Sequence, residues 1–290
     1  MDTIIAGCKV NLGLRITGRR ADGYHELDSL FWPLSEPHDT LELRPGAGPG
    51  LTVRCDAPEV DPRRNTLTMA YAALADAAGD LPGVEVALHK GIPSGAGLGG
   101  GSSDAAALLR ALNKRLARPL DAAALSAVAL RAGADTPFFL QASPCRVRGI
   151  GDILEPADAA LPAGAHLVLV CPPVHSSTPQ AYAAYDATPA AAAGGRNVLT
   201  KSDVKANGTF LSTARSMPDL HNDLEAVVFS RHPQLAAIKA ELLRLGAAAA
   251  AMSGSGSAIV ALFAPEDGAA ACAAARALQR ENRRVYTHAL

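Results

Sequence analysis

The chain has 290 residues, 49% of them hydrophobic, and its 27 basic and 28 acidic side chains leave a formal charge of −1. That length suits two domains with packed cores, and the balanced charge offers no general attraction to nucleic acid or to an anionic membrane. Five scattered cysteines without a C-x-x-C pair, a start that does not read as a signal peptide and the lack of a long apolar run predict a cytoplasmic protein without disulfides, zinc or a membrane span.

The first predicted element is a strand from Lys9 to Ile16, in which apolar residues alternate with polar or small ones. Lys9 and Asn11 lie on the polar face of this strand. A lysine at such a position can supply positive charge for phosphoryl transfer. It can equally be a solvated surface lysine, and its position alone does not decide between the two.

A hairpin is predicted next, within R-R-A-D-G-Y-H-E-L, with its turn at Asp22-Gly23. Tyr24 and His25 follow the turn directly. An adjacent aromatic ring and imidazole can stack on a nucleobase and hydrogen-bond to its edge, or they can be ordinary strand residues that flank a turn.

Short strands and capped helices follow, in an α+β order without regular βαβ alternation. The strands are predicted at residues 40–44, 51–54 and 84–90. Asn65 is expected to cap a helix that ends near Ala78, before Gly79. Asp121 is expected to cap another helix, which closes at Gly133.

The segment from Gly91 to Asp104, G-I-P-S-G-A-G-L-G-G-G-S-S-D, predicts a phosphate-binding loop. Glycine lets an anion approach the backbone, and a helix that begins near Ser102 directs unpaired N–H groups at the same spot. An ordinary P-loop is excluded, because Gly101 stands where that motif needs lysine. The alternative, a flexible linker, does not suit a position between a strand and a strong helix.

One carboxylate stands out in G-A-D-T-P-F-F, where Asp135 precedes an apolar segment. A carboxylate can accept the proton of an alcohol during phosphoryl transfer, although aspartate is also common as a helix cap or in a turn. Turn-forming residues after Cys145 place the predicted domain boundary between residues 155 and 156.

The second half mixes strands at residues 166–170, 257–263 and 284–288 with helices at 219–229, 233–245 and 267–279. This order predicts a ferredoxin-like α/β sandwich. Residues 188–208 are expected to form a mobile loop. The run M-S-G-S-G-S from Met252 is either a tight turn that joins a helix to a strand or a second loop over the substrate. No histidine spacing predicts a metal site.

Taken in order, K-V-N-L at Lys9, R-x-D-G-Y-H-x-L, the glycine-rich segment, G-A-D-T-P-F-F and S-G-S-G resemble the GHMP kinase superfamily. K-V-N-L with D-G-Y-H is similar to the branch that phosphorylates a cytidine diphosphate-linked methylerythritol in non-mevalonate isoprenoid synthesis. The resemblance implies an N-terminal domain like ribosomal protein S5 domain 2, a ferredoxin-like C-terminal domain, an active site between them, and ATP with Mg²⁺ as cofactors.

The resemblance also implies roles for individual residues. Lys9 and Asp135 match a catalytic pair, in which Asp135 deprotonates the C2 hydroxyl. Asn11, Tyr24, His25 and Tyr182 match substrate-binding positions. The residues that match the ATP site are Asn65, Lys90, Pro93, Gly95, Gly97, Leu98, Gly99, Gly100, Gly101, Ser102, Ser103 and Asp104.

Two positions depart from the superfamily's pattern. Gly7-Cys8 replace the usual Pro-Ala before the lysine, which is expected to loosen the backbone and leave the strand intact. Tyr182 stands where some members have phenylalanine, which should preserve stacking. Two alternatives stay open at this point: a kinase of the same superfamily for another small alcohol, and a noncatalytic nucleotide sensor.

Overall fold

The computed structural model describes residues 1–79, 81–157, 161–192, 220–280 and 282–290. These residues fall into two compact units. Unit one consists of Met1–Cys8, Pro33–Pro93 and Gly99–Ser143, and unit two consists of Lys9–Trp32, Ser94–Leu98 and Pro144–Leu290. The first two strands and the glycine-rich segment each pass from one unit into the other. The predicted boundary between residues 155 and 156 stays a prediction.

The strands are β1 (Asp2–Arg19), β2 (His25–Pro45), β3 (Leu51–Cys55), β4 (Val84–His89), β5 (Cys145–Gly149), β6 (Ile153–Pro156), β7 (His166–Cys171), β8 (Ala249–Met252), β9 (Ile259–Phe263) and β10 (Arg284–Ala289). The helices are α1 (Thr66–Ala78), α2 (Gly100–Asn113), α3 (Ala122–Ala132), α4 (Thr136–Gln141), α5 (Thr178–Asp186), α6 (Pro189–Ala192), α7 (Glu225–Arg231), α8 (Pro233–Arg244) and α9 (Gly268–Leu278).

In unit one, β4 pairs in parallel with β3 and antiparallel with the end of β2. Helices α1, α2 and α3 pack around a core of alanine, valine and leucine, which includes Leu74, Leu108 and Leu112. The predicted caps are confirmed: the Asn65 side chain accepts from two N–H groups of α1, and the Asp121 side chain accepts from the N–H of Ala124. Small alanine side chains on these helices allow the close packing.

In unit two, four strands form a sheet in the order β10-β7-β9-β8. With helices between β7 and β8 and between β9 and β10, this is the ferredoxin-like βαββαβ arrangement. Leu14 and Ile16 of β1 join its core, beside Val168 and Phe263. The first part of β2 pairs with β5, and β5 pairs with β6. The α+β prediction is confirmed.

Several elements differ from the sequence-based expectations. The S-G-S-G run connects strand β8 to β9, so the segment before it is a strand and not the expected helix. Helix α2 begins at Gly100, slightly before Ser102. Of the predicted loop at 188–208, the structure describes only the part up to α6, and residues 193–208 lie outside the described residues. No helix among the described residues is long and apolar enough to cross a bilayer.

Candidate active site

Lys9 is a buried lysine that lies against the glycine-rich segment. Its side chain is 3% exposed, and its ammonium donates to the amide oxygen of Asn11 and, at 3.1 Å, to the carbonyl of Gly97. The same ammonium lies 4.5 Å from the centre of the Phe31 ring. The backbone N–H of Lys9 donates to the carbonyl of Leu98. A solvated lysine is therefore ruled out, because burying an ammonium costs free energy unless partners compensate it.

Asn11 is held at both ends of its side-chain amide by hydrogen bonds. Its amide nitrogen donates to the hydroxyl of Ser29 at 2.8 Å, and that hydroxyl donates to the carbonyl of Gly13 at 2.6 Å. The backbone N–H of Asn11 donates to the hydroxyl of Ser253 at 3.0 Å. This chain fixes the amide oxygen of Asn11 toward Lys9.

The S-G-S-G run braces the first half of the glycine-rich segment. The Ser253 hydroxyl donates to the carbonyl of Gly97 at 3.0 Å. Gly97 has a φ of 74°, and a Cβ added there would lie 2.1 Å from the carbonyl oxygen of Ser253, so only glycine fits. Of the two interpretations of this run, a plain turn does not account for these contacts.

The second half of the segment begins helix α2 and has the properties of an anion site. Gly99 precedes the helix with a φ of 73°, and no side chain caps it. No acidic residue lies in the first turn. The first N–H groups of a helix have no partner inside the helix, and its dipole favours negative charge there. These features fit the phosphates of ATP, as the loop prediction requires.

A buried ion cluster supports the glycine-rich segment. The Lys90 ammonium donates to both Asp39 and Asp104, at 2.9 Å to Asp104, and Asp39 also accepts from the N–H groups of Gly91 and Ile92. Burial raises the pKa of Asp104 to about 7 against the attraction of Lys90, and Asp39 adds to the rise. Burial opposes the ammonium form of Lys90, but the Asp104 and Asp39 charges outweigh it and raise the Lys90 pKa.

Asp135 lies at the start of α4, and its side chain makes no capping hydrogen bond to that helix. A Cβ added to Gly133 would lie 3.3 Å from the hydroxyl of Ser102 and 3.1 Å from that of Thr136. The G-A-D-T segment and the serines of the phosphate loop are thus neighbours within unit one. The Asp135 side chain therefore does not act as a helix cap, which was the alternative role.

His25 and Tyr182, two of the predicted substrate-binding residues, stack on each other. Their ring centres are 4.8 Å apart, and the ring planes are inclined by 25° to each other. The Nε2 of His25 lies 2.7 Å from a carboxylate oxygen of Asp186, and Arg19 lies 3.4 Å from the other oxygen. Tyr24, at the predicted turn, is 61% exposed, which leaves its ring face open to solvent.

The other predicted nucleotide-site residues have visible structural roles. Asn65 caps α1 with its side-chain oxygen and donates to the carbonyl of Asp61. Ser103 donates to the carbonyl of Gly7 at 2.5 Å, and Gly101 accepts from the Thr66 hydroxyl at 2.7 Å. Their contacts to a nucleotide stay predictions, as do those of Pro93, Gly95 and Gly100.

Strand β1 runs through the Gly7-Cys8 departure without a break, so the expected strand is intact. A Cβ added to Gly7 would lie 2.5 Å from the carbonyl oxygen of Leu34. Glycine at this position therefore allows a close approach of two backbones.

Sequence reasoning missed three supporting residues, Asp39, Asp186 and Asn222, and it gave Ser253, within the S-G-S-G run, no role of its own. Asn222 is buried, and its amide nitrogen donates to the carbonyls of Met252 and Gly254, each at 2.7 Å. The available signal was an acidic or amide residue at an otherwise apolar position. Such a residue must find partners when it is buried.

Comparison with known proteins identifies the family to which the chain belongs. Residues 65–143 match the model of the GHMP kinases N terminal domain, and residues 201–283 match that of the GHMP kinases C terminal domain. The 4-diphosphocytidyl-2-C-methyl-D-erythritol kinase of Nitratidesulfovibrio vulgaris strain DP4 is 49% identical over 289 residues, which cover 99% of this chain and 98% of the relative. The kinase of the same name from Solidesulfovibrio magneticus is 48% identical, over 88% of this chain and 86% of its own.

Among solved structures, a crystal structure of 4-(cytidine 5'-diphospho)-2C-methyl-D-erythritol kinase superposes with a TM-score of 0.76 at 36% identity, covering 99% of this chain and 98% of that one. The homoserine kinase of Cytophaga hutchinsonii superposes with a TM-score of 0.68 at 19% identity, covering 100% of this chain and 95% of that one. The second likeness supports the fold alone.

Proposed function

The chain belongs to the GHMP kinase family and, within it, to the 4-diphosphocytidyl-2-C-methyl-D-erythritol kinases, and from that premise we propose how its residues divide the chemistry. The protein is an ATP-dependent kinase that phosphorylates the C2 hydroxyl of 4-diphosphocytidyl-2-C-methyl-D-erythritol in non-mevalonate isoprenoid biosynthesis. The observation that carries the assignment of roles is the buried Lys9 ammonium, bonded to the carbonyl of Gly97 in the glycine-rich segment.

Asp135 is the proposed general base. A carboxylate accepts the proton of the substrate hydroxyl as its oxygen attacks phosphorus, so the attacking oxygen does not carry a full positive charge. Two observations support this role: the side chain is not used as a cap of α4, and its segment adjoins Ser102 of the phosphate loop.

Lys9 is proposed to orient the hydroxyl and to offset negative charge in the transition state. Its position is fixed before the substrate arrives, because Asn11 and Gly97 hold the ammonium. A charge that is preorganised in this way costs no reorganisation during the reaction. Asn11, held by Ser29 and Ser253, is proposed to contact the substrate beside Lys9.

The glycine-rich segment is proposed to hold the nucleotide phosphates with backbone N–H groups at the start of α2. ATP supplies the phosphoryl group when bound, and Mg²⁺ enters with it and neutralises charge on its phosphates. The ion cluster of Lys90, Asp39 and Asp104 supports the segment and keeps its backbone in place.

His25 and Tyr182 are proposed to bind the cytosine, with Tyr24 closing over it from the turn. A stacked ring pair offers an aromatic surface to a base, and an imidazole nitrogen can hydrogen-bond to the base edge. Asp186 fixes the imidazole from the opposite side. The substrate is a small molecule, and neither nucleic acid nor a membrane is a proposed partner.

We place the reaction in the cytoplasm. All five cysteines lie among the described residues and none forms a disulfide there, and Cys8, Cys145 and Cys171 are buried. Free thiols persist where the surroundings are reducing.

A coupled assay of ADP release tests the function directly, with a panel of small alcohols that includes the cytidylated substrate. We expect turnover with 4-diphosphocytidyl-2-C-methyl-D-erythritol and much less with uncytidylated polyols. Equal rates across the panel would favour a kinase for another alcohol. ATP binding without turnover of any alcohol would favour a noncatalytic nucleotide sensor.

A further inference from the structure

Unit two contains a cavity of about 350 Å³ between the start of α5 and the end of α7. That volume is within the range of small-ligand pockets. The cavity is lined by His175, Ser176, Ser177, Gln180, Ala181, Val227, Val228, Arg231 and His232. None of these residues is itself a predicted nucleotide or substrate position, but two of them contact Gly95. The N–H of Ser176 donates to the Gly95 carbonyl at 3.1 Å, and a Cβ added to Gly95 would meet the His175 ring. The cavity therefore adjoins the first half of the glycine-rich segment.

The polar side chains of this lining are cationic or neutral. Arg231, His175 and His232 contribute the basic groups, and no acidic residue is among the described residues that line the cavity. Elsewhere in the described chain, arginines such as Arg146 are paired with a carboxylate. Arg231 is an exposed residue, and none of the side-chain hydrogen bonds or ion pairs among the described residues involves it. An unpaired guanidinium at a cavity wall leaves five N–H donors available to a ligand.

The remaining polar groups add donors without adding negative charge. Gln180 provides an amide, and Ser177 precedes α5 without capping it. Ser176 is already committed, since its hydroxyl donates to the carbonyl of Ser255 at 2.6 Å. Arginine suits phosphate in particular, because its planar donors match two phosphate oxygens at once.

From this juxtaposition we propose that the cavity is a second anion site, which binds the phosphate or diphosphate group of a small molecule. Arg231 and His232, at the end of α7, bind the anion from one side, and Gln180 and Ser177, at the start of α5, contact it from the other. Val227 and Val228 provide an apolar wall for the rest of the molecule. The site does not depend on the kinase assignment, because binding can be measured without turnover.

Isothermal titration calorimetry tests the proposal on the full chain. The protein is first saturated with a non-hydrolysable ATP analogue and with the cytidylated alcohol, so that the proposed nucleotide and substrate positions are filled, and is then titrated with inorganic diphosphate or with orthophosphate. We expect one further equivalent of anion to bind. Tighter binding of diphosphate than of orthophosphate would favour a diphosphate ester as the ligand class, and tighter binding of orthophosphate would favour a phosphate monoester.

Two variants locate the binding. Arg231→Gln should weaken it at least about tenfold, as expected for the loss of a charge-assisted hydrogen bond, and His232→Gln should weaken it in the same direction. The control is Arg276→Gln, which removes an exposed arginine from the last turn of α9. The proposal is overturned if the parent binds neither anion under these conditions, or if both variants bind like the parent.

Discussion

The Nε2 atom of His25 lies 2.7 Å from the Oδ1 atom of Asp186, across 161 residues of sequence. This contact joins the first residue of β2 to the last residue of α5, and it holds the imidazole against the ring of Tyr182. If His25 binds the base as proposed, a side chain that is fixed in this way loses little further entropy when substrate binds.

Replacement of His25 or Asp186 should therefore reduce use of the cytidylated substrate. His25→Ala should lower kcat/KM for the alcohol by a factor that corresponds to a loss of about 1–3 kcal/mol of transition-state stabilisation, since polar groups of the base and pocket are left unpaired. Asp186→Asn should act in the same direction with a smaller effect. Steady-state kinetics with each substrate varied in turn should show little change in KM for ATP.

Glu155→Gln is the control for these variants, since Glu155 is an exposed acid that pairs with Arg148. If His25→Ala uses the cytidylated alcohol as well as the parent does, the proposed role of His25 in base recognition is contradicted. The kinetics would then support only a kinase for an unspecified alcohol.

Asp104→Asn should change how stability depends on pH. Burial raises the folded-state pKa of Asp104 from 3.8 to about 7. Between these two pH values the folded protein therefore holds a proton on Asp104 that the unfolded chain has lost. The contribution of this group to stability is fully present below pH 3.8 and is lost as the pH rises through about 7. Asparagine mimics the protonated form, so the unfolding free energy of the variant relative to the parent should rise between these values.

Urea unfolding at several pH values measures this difference, with Glu266→Gln as a control for the removal of one exposed negative charge. A difference that stays constant from pH 4 to 7 would show that Asp104 is not held protonated in the cluster with Lys90.

Helix α1 shows what local sequence determines. Asn65, Thr68 and Gly79 set its two ends by hydrogen bonds within the segment itself, so the prediction was confirmed at both ends. The Asp22-Gly23 turn is similar, since β1 ends at Arg19 and β2 begins at His25. Interactions of this kind need no knowledge of the rest of the chain.

Strand β8 shows what local sequence does not determine. Its residues, A-A-A-M, have high helix propensity, yet they form a buried strand because β9 pairs with them. The same reason explains why Asn222 was missed. Its partners, Met252 and Gly254, lie 30 and 32 residues away, and no local pattern indicates them.

Asn222→Ala should destabilise the protein by about 1–3 kcal/mol, because two buried carbonyls lose their donor. It should also slow turnover, since the run that Asn222 supports includes Ser253, which braces Gly97. Denaturant unfolding and a kinetic assay check the two effects. Ser230→Ala, which removes an exposed hydroxyl bonded to the carbonyl of Val227, is the control. Parent-like stability of Asn222→Ala would contradict the supporting role.

Lys9→Ala should lower kcat by about 10²–10³-fold, the range for loss of one preorganised electrostatic group. Lys9→Arg should not restore it, because a planar guanidinium does not fit between Asn11, Gly97 and the Phe31 ring. Lys114→Ala, at an exposed lysine after α2, is the control. Full activity in folded Lys9→Ala protein would remove Lys9 from the mechanism.

The most direct test of the account is the turnover of Asp135→Asn, measured beside its affinities for nucleotide and for the cytidylated alcohol. The amide keeps the size of the carboxylate and cannot accept the hydroxyl proton, so kcat should fall by about 10²–10⁴-fold, the contribution of a positioned general base. Calorimetry should show both ligands binding as they do to the parent. A kcat equal to that of the parent, in folded protein that binds both substrates, would contradict the assignment of Asp135 as the base.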